Sequence, residues 1–299
     1  MSEGRFEEIT VSGWNDLIDC LYEGAWQPEI ERHRSNYAFR GVANANWSTF
    51  RTSLMRLGGG FDSMEGHLLR NFRKYAHLEA TSAYPGDSTW HWLAMAQHHG
   101  LPTRLLDWSY SPFVAMHFAT ASLELFDVDG LIWCINYVDA HAYLPKRLRQ
   151  ILEDEGANVF TAEMLQRGAA TLPMFDALAA GDDGNLHHFA TFFEPPSLDA
   201  RIVNQYALFS LMSGPRVSLD DLLREHPELI RKIIIPAEIK WEVRDKLDQA
   251  NVTERVLFPG LDGLSSWLRR QYTPRNGHPE PHDDDGGHTT AQRVPNEQG

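Results

Sequence analysis

A helix that cannot continue past Pro102 organises the middle of this chain. The stretch from Ser88 to His98 carries Trp90, Trp92, Leu93 and Met95, an apolar helical pattern. Gly100 predicts its cap and Pro102 its stop, because glycine accepts the left-handed turn and proline has no amide to extend the helix. Directly beyond lies Thr103-Arg104-Leu105-Leu106-Asp107-Trp108-Ser109. Ser111 and Pro112 then predict a new helix start, a cap followed by a proline in the first turn, with Val114, Met116 and Phe118 continuing it to about Leu125. A loop that only connects two helices has little need of His, Arg, Asp, Trp and Ser within so few positions. A binding or catalytic loop does.

Elsewhere, strands and helices interleave without strict βαβ alternation. Ile9 to Tyr22 reads as a short strand and an amphipathic helix, and Tyr37 to Gly41 as a strand ending at a glycine turn. Thr52 to Leu57 and Met64 to Ala76 read as helices, Gly130 to Ile135 as a buried strand, and Ala140 to Gly156 as mostly helical. Ile202 to Leu211 contains a strand, Lys232 to Pro236 another, and Ile239 to Ala250 a helix. The pattern predicts one α+β domain over residues 1–272, with a central, mainly antiparallel sheet and flanking helices. Its motif core spans about 37–125, and the weakly periodic stretch 158–185 reads as a variable insertion. From Thr273 to Gly299 apolar residues nearly vanish, which predicts a disordered tail.

Composition narrows the function classes. Of 299 residues, 42% are hydrophobic, including nine Trp and fifteen Phe, ample for a packed core. The net charge of −14 argues against general nucleic-acid binding, which needs clustered cations. A local basic pocket remains compatible with it: Arg32, Arg34, Arg40, Arg51 and Arg56 lie close in sequence and could receive one anionic ligand, or could be solvated surface groups. The two cysteines, Cys20 and Cys134, sit in apolar contexts without metal or redox spacing. No apolar run reaches the roughly 20 residues that span a bilayer, and no apolar signal segment opens the chain. A cytoplasmic protein without membrane contact is therefore expected. No metal is expected either, since the histidines and aspartates of the tail (His278, His282, Asp283, Asp284, Asp285, His288) lack a scaffold.

Among single residues, Arg40 stands out. Its forked, permanently charged guanidinium suits phosphate or carboxylate, and Gly41 would let a ligand approach the backbone. The competing reading is a structural Arg–Asp pair with Asp107. His98 at a helix end is either a group active near neutral pH or, more simply, a cap on free carbonyls. Trp108 either stacks on a planar ligand or fills the core. Thr103, Arg104, Asp107 and Ser109 form either a ligand site or a rigid polar network.

Phe39-Arg40-Gly41 together with Gln97-His98-His99-Gly100-Leu101-Pro102-Thr103-Arg104-Leu105-Leu106-Asp107-Trp108 resembles the FRG domain, whose Phe/Tyr-Arg-Gly and Gln-His-x-Gly-Leu-Pro-Thr-Arg-Leu-Leu-Asp-Trp motifs are matched residue for residue. A fainter similarity, of order and residue type, links the chain to ADP-ribosyltransferases. There an early-strand Arg, a Ser-containing strand leading into an apolar helix, and a late-strand Glu or Gln handle NAD. Arg40, then Ser109 with Val114 to Ala119, then Gln205 follow that order. The resemblance implies an ADP-ribosyltransferase-like fold and an enzyme using NAD as substrate, in the role of a prokaryotic toxin or defence effector with a protein or nucleic-acid target. It implies Arg40, His98, Asp107 and Gln205 as catalytic residues. Arg40, Gly41, Thr103, Arg104, Trp108 and Ser109 would bind a nucleotide-like anion in the same cleft. Gln205 departs from a catalytic glutamate, because an amide is no general base, and nothing in the motif places the nearby Glu194. The alternative is a nucleotide-sensing or adaptor module without turnover.

Overall fold

The structure, a computed structural model, describes residues 6–79, 86–181 and 184–275. Among these the strands are β1 (Glu7–Thr10), β2 (Trp26–Gln27), β3 (Arg32–His33), β4 (Tyr37–Val42), β5 (Leu106–Ser109), β6 (Gly130–Asn136), β7 (Phe160–Thr161), β8 (Ala190–Glu194), β9 (Ala207–Met212) and β10 (Ile230–Ile235). β2 and β3 form a separate ribbon, and the other eight make one sheet in the order β1-β10-β6-β4-β5-β9-β8-β7. Neighbours are antiparallel except at the two margins, where β1 runs parallel to β10 and β7 to β8. Helices flank this sheet. The fold is α+β with a mostly antiparallel sheet, as the interleaved pattern predicts.

The sheet is split near its middle. β4 pairs with β6 over its whole length and β5 pairs with β9 over all four of its residues. Between themselves, β4 and β5 share the single pair Phe39↔Ser109 and then diverge. On one face a continuous core crosses the divide, built from Ala38, Trp108, Leu131, Trp133, Phe192 and Leu208 among others. On the other face there are two cores. One packs Phe39, Ile132 and Ile233 under Ala115 and Met116, and the other packs Phe193, Phe209 and Leu211 against Trp90 and Phe175. A gap between these two cores follows from the split.

The helix boundaries follow local chemistry. The helix Thr89–His98 is capped by the Ser88 hydroxyl and ends with Gly100 at φ +80°, the Leu101 amide closing on the Ala96 carbonyl at 2.9 Å. Ser111 caps the helix Pro112–Ala119, with proline in the first turn. That helix stops at Ala119, short of the expected Leu125. The Thr120 hydroxyl folds back on the Met116 carbonyl at 2.7 Å, and the chain continues through a 3₁₀ turn at Leu123–Leu125 into β6. Within the stretch 158–185, Phe160, Leu165 and Phe175 are buried in the core. Of the expected tail, residues 276–299 lie outside the described residues, and with them every tail histidine and aspartate considered as a metal ligand.

Candidate functional site

The gap between the two cores is a cleft of about 290 Å³ lined by Arg40, Gln97, His98, Asp107, Ser109, Arg201 and Gln205 above an apolar floor that includes Phe39, Ala115, Phe118 and Phe209. Arg40 follows directly on Phe39, the one β4 residue paired with β5. Its side chain crosses the divergence, and Nη1 donates to the Asp107 main-chain carbonyl at 2.6 Å. A carbonyl left without a ladder partner by the split is thus satisfied by a side chain. The expected Arg40–Asp107 pairing exists, but through the backbone. Burial pushes the Arg40 guanidinium below its ordinary value, Asp107 opposes this and Arg56 adds to it; the group remains cationic. Of the five clustered arginines only Arg40 lines the cleft. Arg34, Arg51 and Arg56 donate to nearby main-chain carbonyls, those of His33, Met55 and Arg51.

Asp107 owes its orientation to a relay. The Leu105 amide donates to Thr103 Oγ1, the Thr103 hydroxyl donates to Gln97 Oε1 at 2.5 Å, and Gln97 Nε2 donates to Asp107 Oδ2 at 2.8 Å. The direction of each donor fixes the next, so the carboxylate faces an amide N–H rather than an amide oxygen. Ser53 Oγ bonds both the amide and the carbonyl of Thr103, anchoring the loop. Thr103 is therefore a buried support for Asp107, not a cleft-lining ligand group.

His98 is not a helix cap; His99 takes that position. Its Nε2 lies 2.6 Å from Asp199 Oδ2, and Asp199 caps the short helix Ala200–Asn204 through the Ile202 amide. Burial lowers the His98 pKa, with Asp199 opposing, so the ring is neutral at neutral pH and donates its Nε2 proton. Burial pushes Asp199 up, but the Ile202 amide and His98 outweigh it and hold the carboxyl below its ordinary value. His98 thus ties the wall carrying the motif block to the wall carrying Arg201.

Several expectations are corrected. Arg104 does not reach the cleft: buried, it is clamped by Glu65 and Asp176 beside a separate cavity of about 420 Å³. Trp108 borders the cleft, but it is 4% exposed, donates Nε1–H to Ser210 Oγ at 2.8 Å and stacks on Phe50, so its ring is packed in the core. Gly41 lines the cleft and also serves packing. A Cβ there would stand 1.8 Å from the Ala115 carbonyl oxygen, so the missing side chain lets the helix Pro112–Ala119 lie on β4. The Ser109 hydroxyl, 4% exposed, donates to the Gln205 carbonyl at 2.7 Å and so pins β5 to the start of β9. Gln205 is not on a strand. It follows the helix Ala200–Asn204, and its Nε2 donates to the Leu257 carbonyl at 3.0 Å.

That carbonyl belongs to a segment held by a buried ionic clip. Arg270 makes paired bonds to Asp248 and to Glu254, and Arg244 donates to His117 Nδ1 at 2.9 Å. The Val256 carbonyl holds Asn204, and the Phe258 ring carries the Arg201 guanidinium at 5.1 Å. The C-terminal helices thereby position one wall of the cleft. Arg201, Asp199 and Phe209 were missed as site residues because no local pattern marks them. Gln97 was visible as the first residue of the matched block. Among the described residues no three His, Cys, Asp or Glu side chains gather to hold a metal ion.

Residues 35–127 match the FRG domain family. This chain carries an FRG domain. Comparison with curated proteins and with solved structures gives no match. The FRG span contributes β4, β5 and the helix Pro112–Ala119, hence Arg40, Gln97, His98 and Asp107. Arg201, Gln205 and Phe209 close the cleft from outside the FRG span. Among the described residues no helix is long and apolar enough to cross a membrane.

Proposed function

We propose that the FRG cleft binds the phosphates and one nucleoside half of NAD and cleaves its glycosidic bond, an ADP-ribosyltransferase-like activity. The observation that carries this reading is the charge of the lining. Two permanent cations, Arg40 and Arg201, face one lining carboxylate, Asp107, in a chain of net charge −14, while Asp199 lies outside the lining, bonded by the neutral His98. A cationic hollow in an acidic surface concentrates anions. Its apolar floor suits a planar ring, and its size, at the small end for ligand pockets, suits half a dinucleotide.

In this reading Arg40 and Arg201 hold the pyrophosphate. The bond between the ribose C1′ and nicotinamide breaks, and nicotinamide leaves with the electron pair. Asp107 faces the positive charge developing on the ribose. The oxygen or nitrogen of an acceptor, water or a target group, then bonds to C1′, and its proton passes to Asp107 and on to solvent. Gln205, committed to Leu257, takes no chemical part. A toxin or defence role would depend on that acceptor, a protein or nucleic-acid group.

The engaged Gln205 amide and the satisfied Thr103–Gln97–Asp107 relay favour a second reading, a nucleotide-sensing module that binds without turnover. Calorimetry with NAD and ADP-ribose, run beside chromatographic detection of nicotinamide, separates the two. Binding with nicotinamide release supports the enzyme, binding without release supports the sensor, and no heat with either ligand removes the NAD reading.

A further inference from the structure

One residue along from Ser109 and Gln205, at the same ends of β5 and β9, the chain builds a group that the cleft does not use. Tyr206 adopts φ +47°, a left-handed conformation that glycine or asparagine takes far more readily than tyrosine. Its carbonyl accepts the Tyr110 amide at 3.0 Å, yet the residue is 60% exposed. The Tyr206 ring lies 5.1 Å from that of Tyr110, which lies 5.7 Å from the buried ring of Tyr137. The Tyr110 hydroxyl donates to Glu194 Oε1 at 3.1 Å. Glu194, the last residue of β8, is exposed and has no cationic partner among the described residues. Burial and then the Glu194 charge push the Tyr110 phenol up from 10, so it remains a donor at neutral pH.

A carboxylate without a cationic partner thus meets the hydroxyl end of a tyrosine cluster, and the outermost ring is held in place at a backbone cost of about 1 kcal/mol or more. The ring packs against Tyr110 and leaves most of its surface in solvent. A carboxylate at the edge of an aromatic cluster is complementary to a cation. The planar guanidinium fits both at once, pairing edge-on with the carboxylate while its face lies on a ring.

We infer that Glu194, Tyr110 and Tyr206 form a recognition site for an arginine side chain of a protein partner. The net charge of −14 favours approach of a basic surface. This site stands apart from the NAD reading, since it selects a partner whether the cleft turns over or only binds.

The full chain is titrated by calorimetry with the acetylated, amidated tripeptide Gly-Arg-Gly and with its citrulline counterpart, which keeps the planar shape and loses the charge. The arginine peptide is expected to bind at least about tenfold more tightly, a difference of about 1.4 kcal/mol. Tyr206→Gly relieves the strained φ, so its melting temperature holds or rises, while arginine-peptide affinity falls about tenfold or more. Glu194→Gln weakens binding likewise, with its melting temperature held. Equal affinity for the two peptides, undiminished affinity in a folded Tyr206→Gly protein, or no arginine-peptide binding at millimolar concentration overturns the assignment.

Discussion

The Arg40 guanidinium reaches Asp107 through its main-chain oxygen, at 2.6 Å, and leaves the carboxylate to Gln97. One arginine thereby closes a gap in the sheet and lines the cleft. The contact makes Arg40 a structural bridge, the proposed function adds the role of anion anchor, and mutations at this position should show both.

Arg40→Ala is expected to abolish measurable NAD binding and to cost about 1–3 kcal/mol of stability, because the Asp107 carbonyl loses its donor. Arg40→Lys should recover part of the stability and little of the affinity, since an ammonium cannot serve the carbonyl and a phosphate with forked geometry. Calorimetry and denaturant unfolding read the two effects separately. Wild-type affinity in Arg40→Ala would remove Arg40 from ligand binding.

Gly41→Ala should be more damaging to folding than Arg40→Ala. Its Cβ would meet the Ala115 carbonyl at 1.8 Å, a backbone atom that cannot turn aside. The helix Pro112–Ala119 would have to lift from β4, at a cost of more than about 3 kcal/mol. Melting temperature and soluble yield test this. A protein of unchanged melting temperature would contradict the packing role.

Gln205→Glu should gain no activity. The new carboxylate would face the Leu257 carbonyl in place of the amide N–H, two acceptors together, and stability should fall by about 1–3 kcal/mol. Asp107→Asn, by contrast, should leave the fold intact and remove nicotinamide release. If Gln205→Glu raises release and Asp107→Asn does not lower it, the carboxylate has been assigned to the wrong residue.

Stability should fall in mild acid through His141. Its Nε2 accepts the Phe192 amide at 3.0 Å, and burial lowers its pKa to about 4, with the Asn158 carbonyl opposing. An unfolded histidine titrates near 6.5, so between pH 6.5 and about 4 the unfolded chain binds the extra proton. The stabilisation is complete above pH 6.5 and is lost on the way down to pH 4, by about 3 kcal/mol as an order of magnitude. His141→Gln should flatten this part of the pH profile of unfolding free energy. An unchanged slope would place the acid sensitivity elsewhere.

The α+β character, the buried strand at Gly130–Asn136, the helix stop at Gly100 and the serine cap before Pro112 were all legible in the sequence. Each depends on chemistry within a few residues: an unbroken apolar run, a positive φ, a missing amide, a hydroxyl in reach. The FRG match was legible for the same reason, since its two motifs are contiguous strings. Their assembly into one cleft was not so determined. Thr103, Arg104, Trp108 and Ser109 are neighbours in the chain, yet Arg104 in the loop before β5 goes to Glu65, Thr103 lies beneath Gln97, and Trp108 on β5 turns to the core. Arg201 and Gln205 entered the site because Arg270, Asp248 and Glu254 brace the segment beneath them, and such long-range pairing leaves no local trace. Local sequence set which residues form helices and strands. The divergence of β4 from β5, decided by where each finds its other partner in the sheet, set which of their side chains meet.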